Sequence, residues 1–120
     1  MTARAALTTI EIIEDEGLVA NAAPIGTMAL ARLKEIMAKR EIVGDVRGQG
    51  LLIGAELVTD RGTKTPAAEA AEAVMYRALD RGLSFKTTFG NVLTLTPPLT
   101  TSAAQMNDAL DILDDCLAAV

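Results

Sequence analysis

Histidine is absent from this 120-residue sequence, and cysteine occurs once, at Cys116. Without histidine the chain lacks the base of Ser-His-Asp and Cys-His arrangements and the commonest side-chain ligand of transition metals. A single cysteine excludes an intramolecular disulfide and leaves too few ligands for a structural zinc site. The composition therefore argues against a self-sufficient nucleophilic or metal-dependent active site.

Aromatic residues and basic clusters are also scarce. The chain has one Tyr, two Phe and no Trp, although half of its residues are apolar, so its core must be aliphatic. The net charge is -5, and positive residues such as Arg32 and Lys34 alternate with acidic ones such as Glu35. Nucleic acid is bound by clustered Lys and Arg and by aromatic stacking. We therefore predict no nucleic-acid partner.

The sequence also has no long hydrophobic run, and we expect no signal sequence. No apolar run approaches the roughly 20 residues of a membrane span, and acidic residues from Glu11 onward follow the N-terminus closely, unlike a signal peptide. We expect a cytoplasmic chain with no membrane partner. Its length suits one domain over residues 1–120, with entering helices in 1–40 and a sheet with covering helices in 41–120.

Four segments have the apolar spacing of amphipathic helices. Gly17 separates the first two, and Ser102 with Gln105 forms a capping box that opens the last. Pro24 falls inside the second segment, where its ring blocks a backbone hydrogen bond, so we expect that helix to begin near Asn21 or to bend at the proline. The four segments are 3–16, 18–40, 67–81 and the residues that follow Ser102.

Four further segments are typical of strands, and glycines join them in pairs. Gly48-Gln49-Gly50 supplies the positive φ values of a tight reversal in the first pair, and Gly90-Asn91 turns the chain in the second. Pro97-Pro98 stops the last strand. The strand segments are 42–47, 51–58, 83–87 and 92–96. This order predicts an α+β fold with a small three- to four-stranded, largely antiparallel sheet and helices packed on one face.

The segment from Gly44 to Leu57, GDVRGQGLLIGAEL, resembles one that recurs in the small domain of class-III aminotransferases. Other stretches resemble that domain in the same order and spacing, so the likeness covers essentially the whole chain. These stretches are Thr9–Leu18, Asp60–Ala67, Arg81–Leu83, Gly90–Leu93 and Pro97–Thr100. The resemblance implies the C-terminal small domain of a fold-type-I pyridoxal-phosphate enzyme, similar to 4-aminobutyrate aminotransferase and dialkylglycine decarboxylase.

That resemblance also implies where the chemistry lies. Members of the family hold pyridoxal phosphate in a large N-terminal domain, through a lysine Schiff base, and are usually homodimers. None of Lys34, Lys39, Lys64 and Lys86 has the sequence context of that lysine. We therefore expect the large domain to be a missing partner, and expect no catalytic, cofactor-binding or metal residue here. The isolated chain should bind no cofactor and be inactive, whereas the full-length protein would transfer an amino group between an amine or amino acid and a keto acid or aldehyde.

One residue is a candidate for the substrate side. Many family members carry an arginine on the last strand, two residues after an Asn-Val pair, and it grips a substrate carboxylate by bidentate pairing. The matching position here is Thr94, which offers one hydrogen bond and no charge. Thr94 is therefore a candidate specificity residue, and a preference for α-amino acids or 4-aminobutyrate is not expected. The alternative is a β-branched strand residue that only faces water.

Several other polar residues have structural explanations. Asp108, Asp111, Asp114 and Asp115 lie at helical spacing, so we expect a solvated acidic face. Arg47 is expected to bind nearby carbonyl groups, and Glu56 to pair with Arg47 or to point to solvent. Cys116 lies beside an apolar stripe and is expected to be packed in the core.

Two alternative functions remain open from the sequence. The chain could be a stand-alone α+β module for interaction or ligand binding that has kept the fold without the chemistry. The full-length protein could also be a racemase or decarboxylase, because such enzymes share this small domain in the same family.

Overall fold

A computed structural model describes residues 2–120, which form four helices and five strands. The helices are α1 (Thr2–Asp15), α2 (Leu18–Lys39), α3 (Ala68–Asp80) and α4 (Ala103–Ala118). The strands are β1 (Val43–Gln49), β2 (Leu52–Asp60), β3 (Thr65–Pro66), β4 (Lys86–Thr88) and β5 (Val92–Leu95). The predicted order of elements is confirmed, and β3 is an additional two-residue strand.

The strands form one antiparallel sheet in the order β1-β2-β5-β4, and β3 pairs with β2 outside this path. The predicted α+β fold is confirmed. The sheet exceeds the predicted three to four strands only through β3, because the chain turns after Asp60 and pairs Thr65 back against it. β2 is the longest strand and lies at the centre, so it positions both β1 and β5.

The core lies between one face of this sheet and the helices. Side chains alternate along β2, so Ile53, Ala55 and Leu57 are buried on the helix side. α2 and α3 contact the sheet, and α4 packs against both of these helices. The largest fully buried side chains are all Leu, Ile or Val, which confirms the aliphatic core. Cys116 belongs to this core, as predicted.

Of the two alternatives for α2, a start near Asn21 is wrong, and a bend at Pro24 stays a prediction. The helix begins at Leu18 and runs through Pro24 to Lys39. The proline removes the hydrogen bond to the carbonyl of Ala20, and both residues are exposed, so water can satisfy that carbonyl. The helix therefore tolerates the proline at its solvent side.

The hairpin between β1 and β2 turns directly beneath α2. Gly50 has a φ of 55°, in the left-handed region that glycine adopts easily. Gly26 of α2 packs so closely on this turn that a β-carbon at residue 26 would lie 2.0 Å from the carbonyl oxygen of Gly50. Two glycines thus allow helix and hairpin backbones to touch, which fixes the position of the sheet below α2.

The sequence predicted a solvated acidic face on α4, but carboxylates on this face also form ion pairs. Asp111 pairs with Arg32, and Asp114 accepts a hydrogen bond from Nε of Arg40 at 2.8 Å. Arg32 lies in α2, and Arg40 is the C-terminal cap residue of that helix. The two pairs therefore join α2 to α4. Asp115 pairs with Arg81 after α3 at 2.8 Å.

The predicted capping box of α4 is confirmed. The Ser102 hydroxyl accepts a hydrogen bond from the backbone N–H of Gln105, and the Gln105 side chain accepts one from the backbone N–H of Ser102. Two of the donors at the start of the helix are thereby satisfied.

Among residues 2–120, no helix combines the length and the hydrophobicity that crossing a bilayer requires.

Candidate functional site

The face of the sheet turned away from α2 and α3 carries a row of residues that runs across four strands. Arg47 of β1 lies opposite Gly54 of β2, Gly54 opposite Thr94 of β5, and Thr94 opposite Lys86 of β4. Directly paired residues in a sheet point to the same face, and neighbouring strands lie about 4.8 Å apart. This cross-strand row therefore places one cation at each end, with a glycine and a threonine between them.

Thr94 is half-buried near the centre of this row. Its hydroxyl oxygen lies 2.6 Å from that of Thr88, so the two hydroxyls share a hydrogen bond. Gly54 beside it has no side chain, and the surface there forms a shallow groove. Its walls include Arg47, Gln49, Leu52, Val92 and Thr94. The groove thus presents a neutral hydroxyl where a ligand on this face would meet the sheet.

The charge of Arg47 is already matched by two carboxylates. Its Nη1 donates to Asp45 at 2.6 Å and to Glu56 at 2.8 Å. These hydrogen bonds, that to Asp45 foremost, raise the pKa of Arg47 above its ordinary value. The predicted pairing with Glu56 is confirmed, whereas the expectation that Arg47 binds carbonyl groups is wrong. An anionic ligand would therefore have to compete with Asp45 and Glu56 for the guanidinium of Arg47.

Lys86, at the other end of the row, is a residue that the sequence alone did not single out as a site residue. It is exposed and takes part in none of the ion pairs of residues 2–120. Its position opposite Thr94 follows from the register of the β4–β5 hairpin, whose turn contains Gly90. That turn is the signal in the sequence from which the pairing could have been deduced.

Phe89 and Leu52 border the same groove and are exposed hydrophobic side chains. Phe89 is 92% exposed and has a φ of 53°, a left-handed conformation that non-glycine residues rarely adopt. The β4–β5 turn thus holds an aromatic ring away from the protein surface. This face of the sheet is apolar at its margins and polar along the row.

The lysines of residues 2–120 do not form an enclosed amine site. Lys34 and Lys39 lie on α2, and Nζ of Lys64 donates to the carbonyl of Gly44 at 3.1 Å. An apolar crevice of about 200 Å³ near Phe85 and Met106 has no lysine in its wall, and neither has the groove along the row. Neither of these two cavities therefore offers a lysine that could hold a cofactor as a Schiff base.

Comparison with known proteins gives consistent results. Residues 1–117 match the aminotransferase class-III family. The chain is 42% identical over 120 residues to the leucine/methionine racemase of Thermococcus litoralis, spanning all of this chain and 27% of that enzyme. It is 40% identical over 123 residues to the hypotaurine/taurine–pyruvate aminotransferase of Paracoccus denitrificans, spanning 97% of this chain and 27% of that enzyme.

The fold agrees with solved structures of the same kind. An aminotransferase from Bacillus anthracis superposes with a TM-score of 0.89 and 37% identity, over 96% of this chain and 27% of that one. The chain therefore belongs to the class-III aminotransferase family. It corresponds to a domain of these proteins and spans about a quarter of the length of the relatives it matches.

Proposed function

We propose that residues 1–120 form the C-terminal small domain of a pyridoxal-phosphate-dependent transaminase, in a protein of the length of its relatives. That protein transfers an amino group between an amine or amino acid and a keto acid or aldehyde. The observation that carries this proposal is the cross-strand row on the uncovered face of the sheet. It holds Thr94 between Gly54 and Lys86, at the position that the resemblance to the family implies for the substrate side.

In this proposal the chain shapes the substrate-binding site and does not carry out the chemistry. Pyridoxal phosphate, held by the rest of the protein, supplies the electron sink. The groove along the row binds and orients the end of the substrate that is remote from the reacting amine. Thr94 offers that end a single neutral hydrogen bond, while the charge of Arg47 is matched by Asp45 and Glu56. The favoured donor is an amine without a carboxylate beside this strand.

The partners follow from the same proposal. A large domain packs against the face of the sheet that is turned away from α2 and α3, where Leu52 is 62% exposed. It closes the groove around substrate and cofactor. We infer that the full-length protein is a homodimer, as the resemblance to the family implies, and that it is cytoplasmic.

A racemase is the second candidate function, because a leucine/methionine racemase is 42% identical over the whole chain. Both activities begin with an amino acid or amine in the same groove, and they differ in the fate of the amino group. The identity of the residues in the large domain decides between them.

A chimera tests the proposed activity. In the chimera, this chain replaces the matching segment of the Paracoccus denitrificans aminotransferase. That segment makes up 27% of the length of that enzyme. We expect the chimera to bind pyridoxal phosphate, seen by its visible absorbance, and to consume pyruvate when an amine without an acidic group is added. A chimera that folds and binds the cofactor yet consumes no pyruvate with any amine would contradict the proposal.

A further inference from the structure

Gly54 lies inside β2, a central strand of the sheet, although glycine weakens the interior of a strand. Its φ is outside the left-handed region, so the backbone conformation does not require glycine. Close packing does not require it either. A β-carbon at residue 54 would meet Cγ1 of Val92 at 3.3 Å, a contact that a small movement of this methyl group relieves, and then the carbonyl oxygen of Arg47 at 3.9 Å.

The other glycines in the helices and strands of residues 2–120 have a packing reason. At Gly26, Gly44 and Gly48, a β-carbon would lie less than 3.0 Å from a neighbouring atom. The pairing of β2 with β1 and β5 is regular at Gly54, so this residue forms no bulge. A glycine inside a strand that serves none of these purposes often marks the close approach of a ligand.

The missing side chain at Gly54 leaves a hollow beside Thr94, on the face of the sheet turned away from α2 and α3. The hollow is part of the groove along the cross-strand row, whose volume of about 390 Å³ is that of a small-molecule site. Leu52, two residues before Gly54, points to the same face and borders the groove, as Phe89 does. The charge of Arg47 is matched by its two carboxylate partners. The hollow therefore suits an uncharged, apolar group.

We propose that Gly54 is a specificity-determining residue, and that the hollow holds an apolar group of the amine substrate, remote from the reacting nitrogen. The proposal rests on the proposed function and adds the substrate class, which is amines with a bulky apolar tail such as a phenyl ring. A flat ring can lie against the backbone of β2 only where no β-carbon stands in its way. Leu52 and Phe89 contact the edge of the ring, and Thr94 keeps its hydrogen bond to Thr88.

Two donors that differ only by a remote ring test the proposal in the chimera. Phenylpropylamine and propylamine both lack an acidic group, and we expect kcat/KM to be about tenfold higher or more for phenylpropylamine. Gly54→Ala should lower this ratio about tenfold, because its methyl group occupies the hollow. The same variant should leave kcat/KM for propylamine within about twofold. The rate of pyruvate consumption over a range of donor concentrations measures both values.

Gly62→Ala is the matched control. Its β-carbon would be similarly close to a neighbouring atom, at 3.2 Å from Asp60 Oδ1, but it lies in the turn after β2 and outside the groove, so the ratio should stay unchanged. Leu52→Ser is an independent second variant. It removes an exposed apolar wall of the groove without adding bulk to the strand, and it should lower the ratio about fivefold. If circular dichroism shows that Gly54→Ala does not fold, Leu52→Ser decides.

The outcomes separate this proposal from the proposed function. An unchanged ratio in a folded Gly54→Ala variant overturns the role of Gly54. Equal losses of kcat/KM for both donors also overturn it, and indicate that a segment of the large domain occupies the hollow. An unaltered chimera that binds the cofactor but consumes no pyruvate with any amine contradicts the proposed function itself, and the role of Gly54 falls with it.

Discussion

Thr94 carries no charge, and its hydroxyl already shares a hydrogen bond with Thr88. A substrate carboxylate placed here would exchange its hydration for one neutral donor. The nearest cation by register is Lys86, one strand further out at the exposed edge of the sheet, where water and salt screen its charge. The residue at position 94 should therefore control how carboxylate-bearing donors are used.

Replacing Thr94 by arginine should change donor preference in the chimera. We expect the ratio of kcat/KM for a donor with a carboxylate to kcat/KM for the matched donor without one to rise by about one to two orders of magnitude. The physical reason is a charge-assisted hydrogen bond worth roughly 1.5–3 kcal/mol. Steady-state kinetics on the two donors measure this ratio.

Two companion variants define what the result means. Thr94→Val removes the hydroxyl without adding charge and should leave the ratio within about twofold, because one neutral hydrogen bond has a small net worth. Lys86→Met removes the edge cation. If Thr94→Arg leaves the ratio unchanged while Lys86→Met lowers it, the carboxylate is bound from β4 and Thr94 is only a strand residue.

The contacts of individual residues differ in how far they could be predicted from the sequence. Arg47 and Glu56 lie on the two strands of one hairpin, so their pairing follows from a short turn. The pairs of α2 with α4 could not be predicted, since Arg32 and Asp111 lie far apart in sequence and meet only through helix packing. Thr94 could be located because a motif fixes its position, but its contact with Thr88 depends on the register of β4.

At the scale of elements, the contact between α2 and the β1–β2 turn sets the geometry of the whole sheet. Gly26 has no space for a side chain, because the carbonyl oxygen of Gly50 occupies the position of a β-carbon. Alanine normally stabilises a helix interior by about 1 kcal/mol relative to glycine. At position 26 the clash should instead make alanine destabilising relative to glycine, since neither backbone can move without disturbing the other.

Gly26→Ala should therefore destabilise the domain by about 2 kcal/mol or more, at the upper end of what overpacking costs. Urea unfolding monitored by circular dichroism measures the change. Gly62→Ala is the matched control. Its β-carbon would meet only Asp60 Oδ1 at 3.2 Å, so we expect a change within about 0.5 kcal/mol. Equal stability of Gly26→Ala and the unaltered protein would show that α2 can move away from the turn.

Strand boundaries were the least predictable feature of the elements. Alternation predicted a strand over 83–87, whereas β4 covers Lys86–Thr88. Lys86 pairs with Thr94, so continuing the ladder would place Leu83 and Ser84 opposite residues beyond β5, where Pro97-Pro98 stops the pairing. Leu83 and Phe85 instead pack against the core as half-buried side chains. The proline pair was visible in the sequence, but its effect on the neighbouring strand required the register.

At the scale of the whole molecule, the fold was predictable because the order of elements and the glycine turns agree with each other. The exposure of α1 was not predictable, since its apolar spacing is the same as that of a buried helix. Periodicity tells which side of a helix is apolar but not what covers it. The molecule measures 47 × 28 × 27 Å, and a helix without buried residues adds length without adding core.

The separation of this domain from the cofactor chemistry leads to a test on the isolated chain. Mixing it with pyridoxal phosphate and reducing with borohydride should label lysines weakly and without preference. The reason is that no lysine lines the crevice or the groove, and Lys86 is exposed at the sheet edge. Peptide mapping by mass spectrometry gives the result. Stoichiometric labelling of a single lysine would contradict the proposed division of roles.

The central position of β2 also determines the order in which the chain can assemble. Its pairing with β1 is local, since only Gly50 and Leu51 separate the two strands, so this hairpin can form early. Its other edge waits for β5, which arrives only after α3 and β4 have been traversed, and closing so long a loop is slow. Until then the longest strand has an unpaired edge that a strand of another molecule could occupy. Refolding from denaturant should therefore give lower yields as the protein concentration rises.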